Sequence, residues 1–203
     1  MRGWIAAALA LALAGAPPPP AMARPAAPDQ PPAPAPAPAD RQDAFGADGY
    51  RIAHYRGPVP RPPQGVGRIA PAAAAMLRPD VDALFIDVLP AEGAHRQQDG
   101  RWRLAAPHDS IPGAHWFPEA GRGLLAPGIG PWFEAGIARL SRGRRDRMLI
   151  LFCLSDCWMG WNAARRLHAL GYSNIWWLAE GTDGWHDLNR PLAPAIPDGG
   201  LAR

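Results

Sequence analysis

The sequence contains no lysine, so all 21 of its basic side chains are arginine. Against 18 acidic residues they leave a formal charge of +3, too small a surplus to argue for nucleic acid as a partner. Cysteine is almost as scarce, with only Cys153 and Cys157. That excludes a disulfide-stapled scaffold, and there is no second cysteine pair to complete a structural zinc site. The six histidines form no His-Glu-x-x-His arrangement, and His168 and His186 stand at no familiar ligand spacing. No glycine run matches a phosphate loop or a dinucleotide fingerprint, and no Gly-x-Ser-x-Gly occurs. Neither a metal nor a cofactor is expected.

What is present divides the chain in two. Arg2, the 13 apolar residues 4–16 and the small-x-small triplet Ala21-Met22-Ala23 have the form of a cleaved secretory signal over residues 1–23. The apolar run falls short of the roughly 20 residues needed to cross a bilayer core, and four prolines at 17–20 stop it. An exported, periplasmic protein without a membrane span after cleavage is therefore expected. Of the 26 prolines, 11 lie between Pro17 and Pro38, mostly alternating with alanine. Such a stretch favours extended polyproline II and offers nothing to bury. Residues 24–63 are read as this spacer followed by an extended segment, residues 64–195 as the compact domain, and residues 196–203 as a tail.

Within the compact part, residues 84–88 and 148–152 are apolar on both faces, as in the interior of a parallel sheet, with Asp87 the one interruption. A short strand is predicted at 66–69, a helix opened by Pro71 at 71–77, and a helix at 158–170 that Gly171 ends. A strand follows at 175–178. Strand, helix and strand within about thirty residues make a parallel crossover, so the fold class is α/β. Ligands meet such sheets at the carboxyl ends of the strands, where Cys153 and Cys157 stand.

A thiol at a helix amino end can be ionised by unpaired backbone amides, and Cys153 is read as the residue that field reaches. The alternatives are an inert buried thiol, or a disulfide, which a four-residue spacing permits without requiring. Asp87 is read as a hydrogen-bond acceptor for the amides of the cysteine loop, with a charge facing that loop as the alternative. Arg142, Arg144, Arg145 and Arg147 form either a solvated loop or a dock for an acidic partner. Of the rings near the cysteines, Trp158, Trp161, Trp176, Trp177 and Trp185, most are expected in the core.

Phe85-Ile86-Asp87-Val88, His108-Asp109-Ser110-Ile111-Pro112-Gly113-Ala114, Cys153, Asn162-Ala163-Ala164, Ala169-Leu170-Gly171-Tyr172 and Glu180-Gly181-Thr182-Asp183-Gly184-Trp185 stand in one order and spacing. Together they resemble a rhodanese domain. More narrowly, Cys153-Leu154-Ser155-Asp156-Cys157-Trp158-Met159 is similar to the exported rhodanese-like group called PQQ-dependent catabolism-associated CXXCW motif proteins, although here three residues separate the cysteines. The resemblance implies a central parallel sheet with helices on both faces. It also implies a sulfurtransferase nucleophile at Cys153, resolved by Cys157, and a substrate cradle of Leu154, Ser155, Asp156, Trp158 and Met159. Asp87, Asp183 and Trp185 would be structural. The implied substrate is a small sulfur compound or a protein disulfide. A periplasmic quinoprotein dehydrogenase or a cytochrome c is the implied partner, which an accessory module of this fold would bind without catalysis. Rhodaneses often place a basic residue at the end of this loop, where this chain has Cys157 and Trp158.

Overall fold

The computed structural model describes residues 44–200. The signal segment and the alternating proline–alanine run expected before residue 40 lie outside the described residues. Five strands form one parallel sheet: β1 (Gly67–Arg68), β2 (Leu84–Asp87), β6 (His115–Trp116), β7 (Leu149–Phe152) and β8 (Ile175–Leu178). Their spatial order is β1-β8-β7-β2-β6 and every pairing is parallel, so each of the four connections between them crosses over. In the middle, Leu84 to Asp87 stand opposite Leu149 to Phe152, which in turn stand opposite Ile175 to Leu178.

Alternation along the strands divides the core into two clusters. Leu84, Ile86, Leu149, Leu151, Ile175 and Trp177 face α2 (Ile129–Leu140) and α3 (Trp158–Ala169). Phe85, Ile150, Phe152 and Leu178 face Ala74 of α1 (Pro71–Ala74) and Trp185 of α4 (Gly181–Asp187). With helices on both faces, the central strands have no need of a polar side, and all four residues of β2, β7 and β8 but one are buried. The architecture is thus α/β with a central parallel sheet, as the apolar runs predicted.

Two features lie beyond that plan. The connection from β2 to β6 contains an antiparallel pair, β3 (His95–Arg96) with β4 (Trp102–Arg103), and β5 (His108–Ser110), which pairs with β9 (Ala193–Ala195) near the carboxyl end. The chain after β9, expected as a tail, is held as far as it is described. Asp198 N–H donates to the Trp116 carbonyl, Trp102 N–H donates to the Gly200 carbonyl, and Arg139 pairs with Asp198.

The second feature is a strap, residues 44–63, that crosses the outer side of α3. Asn162, fully buried in that helix, holds it at Arg51 and ties that point to Gly121. Its Oδ1 accepts the Arg51 N–H at 3.0 Å, and its Nδ2 donates to the carbonyls of Arg51 and Gly121 at 2.8 and 2.9 Å. Above this clamp Phe45 packs edge-on against Trp158, and the Arg51 guanidinium lies over both rings at about 5 Å. Tyr55 and Val59 pack against the α2/α3 core cluster.

Asn162→Ala removes all three hydrogen bonds and leaves buried amide groups unpaired, at about 1–3 kcal/mol for each stranded group. The expected outcome is a lowered thermal midpoint together with new tryptic cleavage at Arg51 and Arg56 while the sheet stays protected. Limited proteolysis followed by mass measurement checks it.

Candidate functional site

β7 delivers Cys153 one residue beyond its carboxyl end, and four residues later Cys157 takes the position just before α3. Cys157 is extended there, with φ −119° and ψ 119°. It has no side-chain oxygen to cap the helix, so the first amides of α3 are left for other partners. Both thiols are free, their Sγ atoms 2.6 Å apart, and they are only 2 % and 3 % exposed.

The loop between them is clamped from beneath by α4. Thr182 N–H donates to the Cys153 carbonyl at 3.0 Å, and Leu154 forms an isolated bridge with Gly181. Ser155 N–H donates to Asp183 Oδ2 at 2.9 Å, and Ser155 Oγ donates to the Glu180 carbonyl at 3.0 Å. Gly181 has φ +53°, and a Cβ there would collide with the Cys153 carbonyl oxygen, so only glycine lets the two backbones approach this closely. Asp183 is a loop anchor, as the resemblance implied. Trp185 is buried against Phe85 and donates from Nε1 to the Pro191 carbonyl.

The strap covers the other side. Arg56 and Cys157 form an antiparallel bridge: Gly57 N–H donates to the Asp156 carbonyl at 2.7 Å, and Trp158 N–H donates to the Tyr55 carbonyl at 2.9 Å. The expected cradle is therefore divided. The amides of Ser155 and Trp158 are taken by Asp183 and Tyr55, and the Ser155 hydroxyl is taken by Glu180. Those of Leu154 and Met159 stay on the sulfurs. Asp156 adopts φ +50°, which turns the loop between its two clamps.

This partition gives the two sulfurs opposite chemistry and reverses the sequence expectation. Burial pushes the Cys153 thiol well above its usual range, and its hydrogen bond to Cys157 and the negative charges of Cys157 and Asp87 push the same way. Cys157 is brought down to about 7, first by the hydrogen bond from Cys153, then by the Met159 and Leu154 amides and the Arg56 charge, against the opposing effect of burial. Of the two sulfurs, Cys157 is thus the one whose surroundings favour the thiolate. The physical reason is position: α3 begins at Cys157, whereas Cys153 still lies at the end of the sheet.

Asp87 is fully buried and holds a different loop from the one expected. Its Oδ1 accepts the Leu89 N–H at 2.8 Å, and its Oδ2 accepts Ser110 Oγ at 2.5 Å and lies 2.7 Å from His108 Nε2. It ties the turn after β2 to β5 rather than bonding the cysteine loop, and it acts on Cys153 by charge alone. Three of the four clustered arginines are engaged locally, and Arg142 stays exposed. Arg147 donates to the carbonyls of Asp80, Val81 and Asp82, Arg144 pairs with Asp146, and Arg145 lies over Tyr172.

Arg56 and Tyr55 are the site residues that sequence reasoning missed. Their one signal in the sequence is the alternation of Ala53, Tyr55 and Val59 with His54, Arg56 and Pro58, the period of an extended chain lying on a surface, and exposure follows the same alternation. A cavity of about 200 Å³ beside the loop is lined by Val59, Arg68, Ser155, Asp156, Trp177, Ala179 and Glu180, and neither cysteine is among its walls. Among the described residues no group of three or more His, Cys, Asp or Glu side chains could hold a metal ion, and no helix is long and apolar enough to cross a membrane. No family model matches the chain, and no curated protein is significantly similar to it.

Two outcomes follow from the geometry. Thiolate absorbance at 240 nm should rise through a midpoint near pH 7, because deprotonation of Cys157 is what the site favours, and alkylation at Cys157 should speed up over the same range. Cys153→Ala removes the largest cause of that lowering, so the midpoint should move up towards the ordinary thiol value. Separately, Asp87→Ala leaves Ser110, Leu89 and His108 without their shared acceptor in a buried site and should cost about 3–5 kcal/mol of stability by chemical denaturation.

Proposed function

We propose that this chain is an exported, rhodanese-like dithiol protein in which Cys157 is the entering nucleophile and Cys153 the resolving thiol. The single observation that carries the reading is a pair of free sulfurs 2.6 Å apart, of which one begins a helix and the other ends a buried strand. The family resemblance and the leader expected over residues 1–23 support a periplasmic setting, in association with quinoprotein oxidation.

The chemistry runs in two displacements. The Cys157 thiolate attacks one sulfur of a disulfide, forming a mixed disulfide and expelling the other half as a thiolate. Cys153 then transfers its proton to the departing half and attacks Cys157, closing the 153–157 disulfide. The protein loses two electrons and the substrate gains them. With a sulfane-sulfur donor, Cys157 instead accepts the sulfur as a persulfide and releases the rest of the donor. Attack by Cys153 then expels hydrosulfide and leaves the same disulfide. In either case the outcome is redox unless an acceptor removes the sulfur before Cys153 acts.

A second reading is favoured by a specific observation, the near-complete covering of both sulfurs. In it the domain is an accessory module that binds a periplasmic quinoprotein dehydrogenase or cytochrome c, and the cysteines only brace the loop.

Exposure to a disulfide substrate, followed by acid quench and mass measurement, separates these readings. In the first, Cys153→Ser accumulates a mixed disulfide on Cys157 and Cys157→Ser forms none. Undiminished turnover in Cys157→Ser would return the nucleophile to Cys153 and overturn the assignment. If neither cysteine reacts with any disulfide or sulfane donor, and the doubly substituted protein still captures a periplasmic dehydrogenase, the accessory reading stands.

A further inference from the structure

We propose that the dithiol acts on an extended polypeptide bearing a sulfur, bound by main-chain pairing to residues 156–158 in the place now occupied by the chain's own residues 55–57. The proposal rests on Cys157 as the reacting thiol and adds the class of substrate and the manner of its docking.

Three observations carry it. The first is that the covering segment meets the site through its backbone. Gly57 N–H to Asp156 and Trp158 N–H to Tyr55 are the two bonds of an antiparallel bridge centred on Arg56 and Cys157. Such a bridge reads no side chain, so any extended peptide with a free amide and carbonyl at that spacing can replace it. The second is conformation. Exposure alternates from residue 53 to residue 60, and Pro58 and Pro60 point outward, so the strap lies in one extended layer as an added strand would.

The third is access. With the strap down, both sulfurs are almost wholly covered, and the cavity beside the loop ends at Ser155 and Asp156 without reaching either of them. A small molecule in that cavity would be held away from the chemistry. Lifting residues 55–57 removes the backbone paired with Cys157 and frees the Trp158 amide and the Asp156 carbonyl. Water can satisfy these two groups, but a second extended backbone satisfies both at once in the geometry already present. Arg56 stands directly opposite Cys157 in the bridge, so the Cβ of an incoming strand's residue at that register lies beside the Cβ of Cys157, and a short sulfur side chain there comes within reach where the longer arginine extends outward. The strap is a substrate mimic that carries arginine where a substrate carries sulfur.

The test uses the full chain and a ten-residue peptide copying residues 51–60 with Arg56→Cys, its thiol joined to thionitrobenzoate. Cys157 attacks the peptide sulfur and expels the coloured thionitrobenzoate. Cys153 then gives its proton to the peptide thiolate and closes the disulfide, so the protein is oxidised by the same two electrons that reduce the probe. The comparison probe is the thionitrobenzoate mixed disulfide of free cysteine.

The peptide should react at least about tenfold faster than the cysteine adduct, reflecting the backbone pairing only it can make. In Gly57→Ala the strap must place a side chain at φ +151°, a region glycine alone adopts freely, while its Cβ meets nothing within 4 Å. That variant should raise the peptide rate roughly tenfold by favouring the open strap. Tyr55→Phe, which deletes only the hydrogen bond from Gly123 N–H, gives a milder increase in a protein certain to fold. Equal rates for the two probes, in wild type and in both variants, would overturn the polypeptide assignment. Release of colour by Cys157→Ser at the wild-type rate would instead overturn Cys157 as the nucleophile, and the ratio between probes would still decide the substrate class.

Discussion

The first turn of α3 serves two different claimants, a sulfur and a strap carbonyl, and the way its amides are shared organises the site. A helix start leaves backbone N–H groups without intrahelical partners, and a serine, threonine, aspartate or asparagine before the helix normally satisfies one of them. Cysteine stands there instead. Its sulfur takes the Met159 amide, and the strap carbonyl of Tyr55 takes the Trp158 amide. The same helix end thus ionises a thiol and docks a backbone, and neither role could move without changing the other. Asn162, one turn further along, secures the arrangement by gripping Arg51 on both sides of its peptide.

From this constraint the inequality of the cysteines follows. Cys153 lies at the end of a strand buried on both faces, beneath the negative charge of Asp87, and a second negative charge there would be poorly solvated. Cys157 lies one helix start away, beside amides and within the field of Arg56. The neighbouring neutral thiol is itself the largest single influence lowering Cys157. The loop itself carries no basic residue, and the positive charge acting on Cys157 comes from Arg56, a hundred residues earlier in the chain.

How much of this was legible depended on whether the cause was local. The central strands and α3 were, because uninterrupted apolar runs and an Ala163-Ala164-Leu167 stripe state their own burial. The carboxyl-end location of the cysteines was legible for the same reason. α2 was missed: Ile129, Phe133 and Ile137 have helical spacing, but Gly128, Gly130 and Pro131 mask its start as a turn. β3, β4, β5 and β9 were missed because two- and three-residue strands have no period to detect, and their pairing joins residues as distant as Asp109 and Pro194. Asp87 was legible as a buried acceptor, but its partners Ser110 and His108 come from another strand. The sulfur order was misread because sequence shows which cysteine follows a strand, but not which one the helix amides finally face.

The strap was the hardest part to read, and the reason is energetic. Each of its backbone contacts is worth only about 1 kcal/mol net, and its outward residues are the prolines and arginine of an ordinary solvated linker. Its attachment depends on groups supplied from elsewhere: Asn162, the carbonyl of Asp156, the amides of Trp158 and Gly123, and the rings of Trp158 and Trp161. A segment held by many small contacts, none in a strand ladder of its own, can detach locally while the sheet remains intact. The strap therefore adds a separable layer over Cys157, whereas Cys153 is buried by the fold itself. The parallel sheet sets where the cysteines are, the helix start sets which of them is charged, and a separable length of chain sets whether that charge is met.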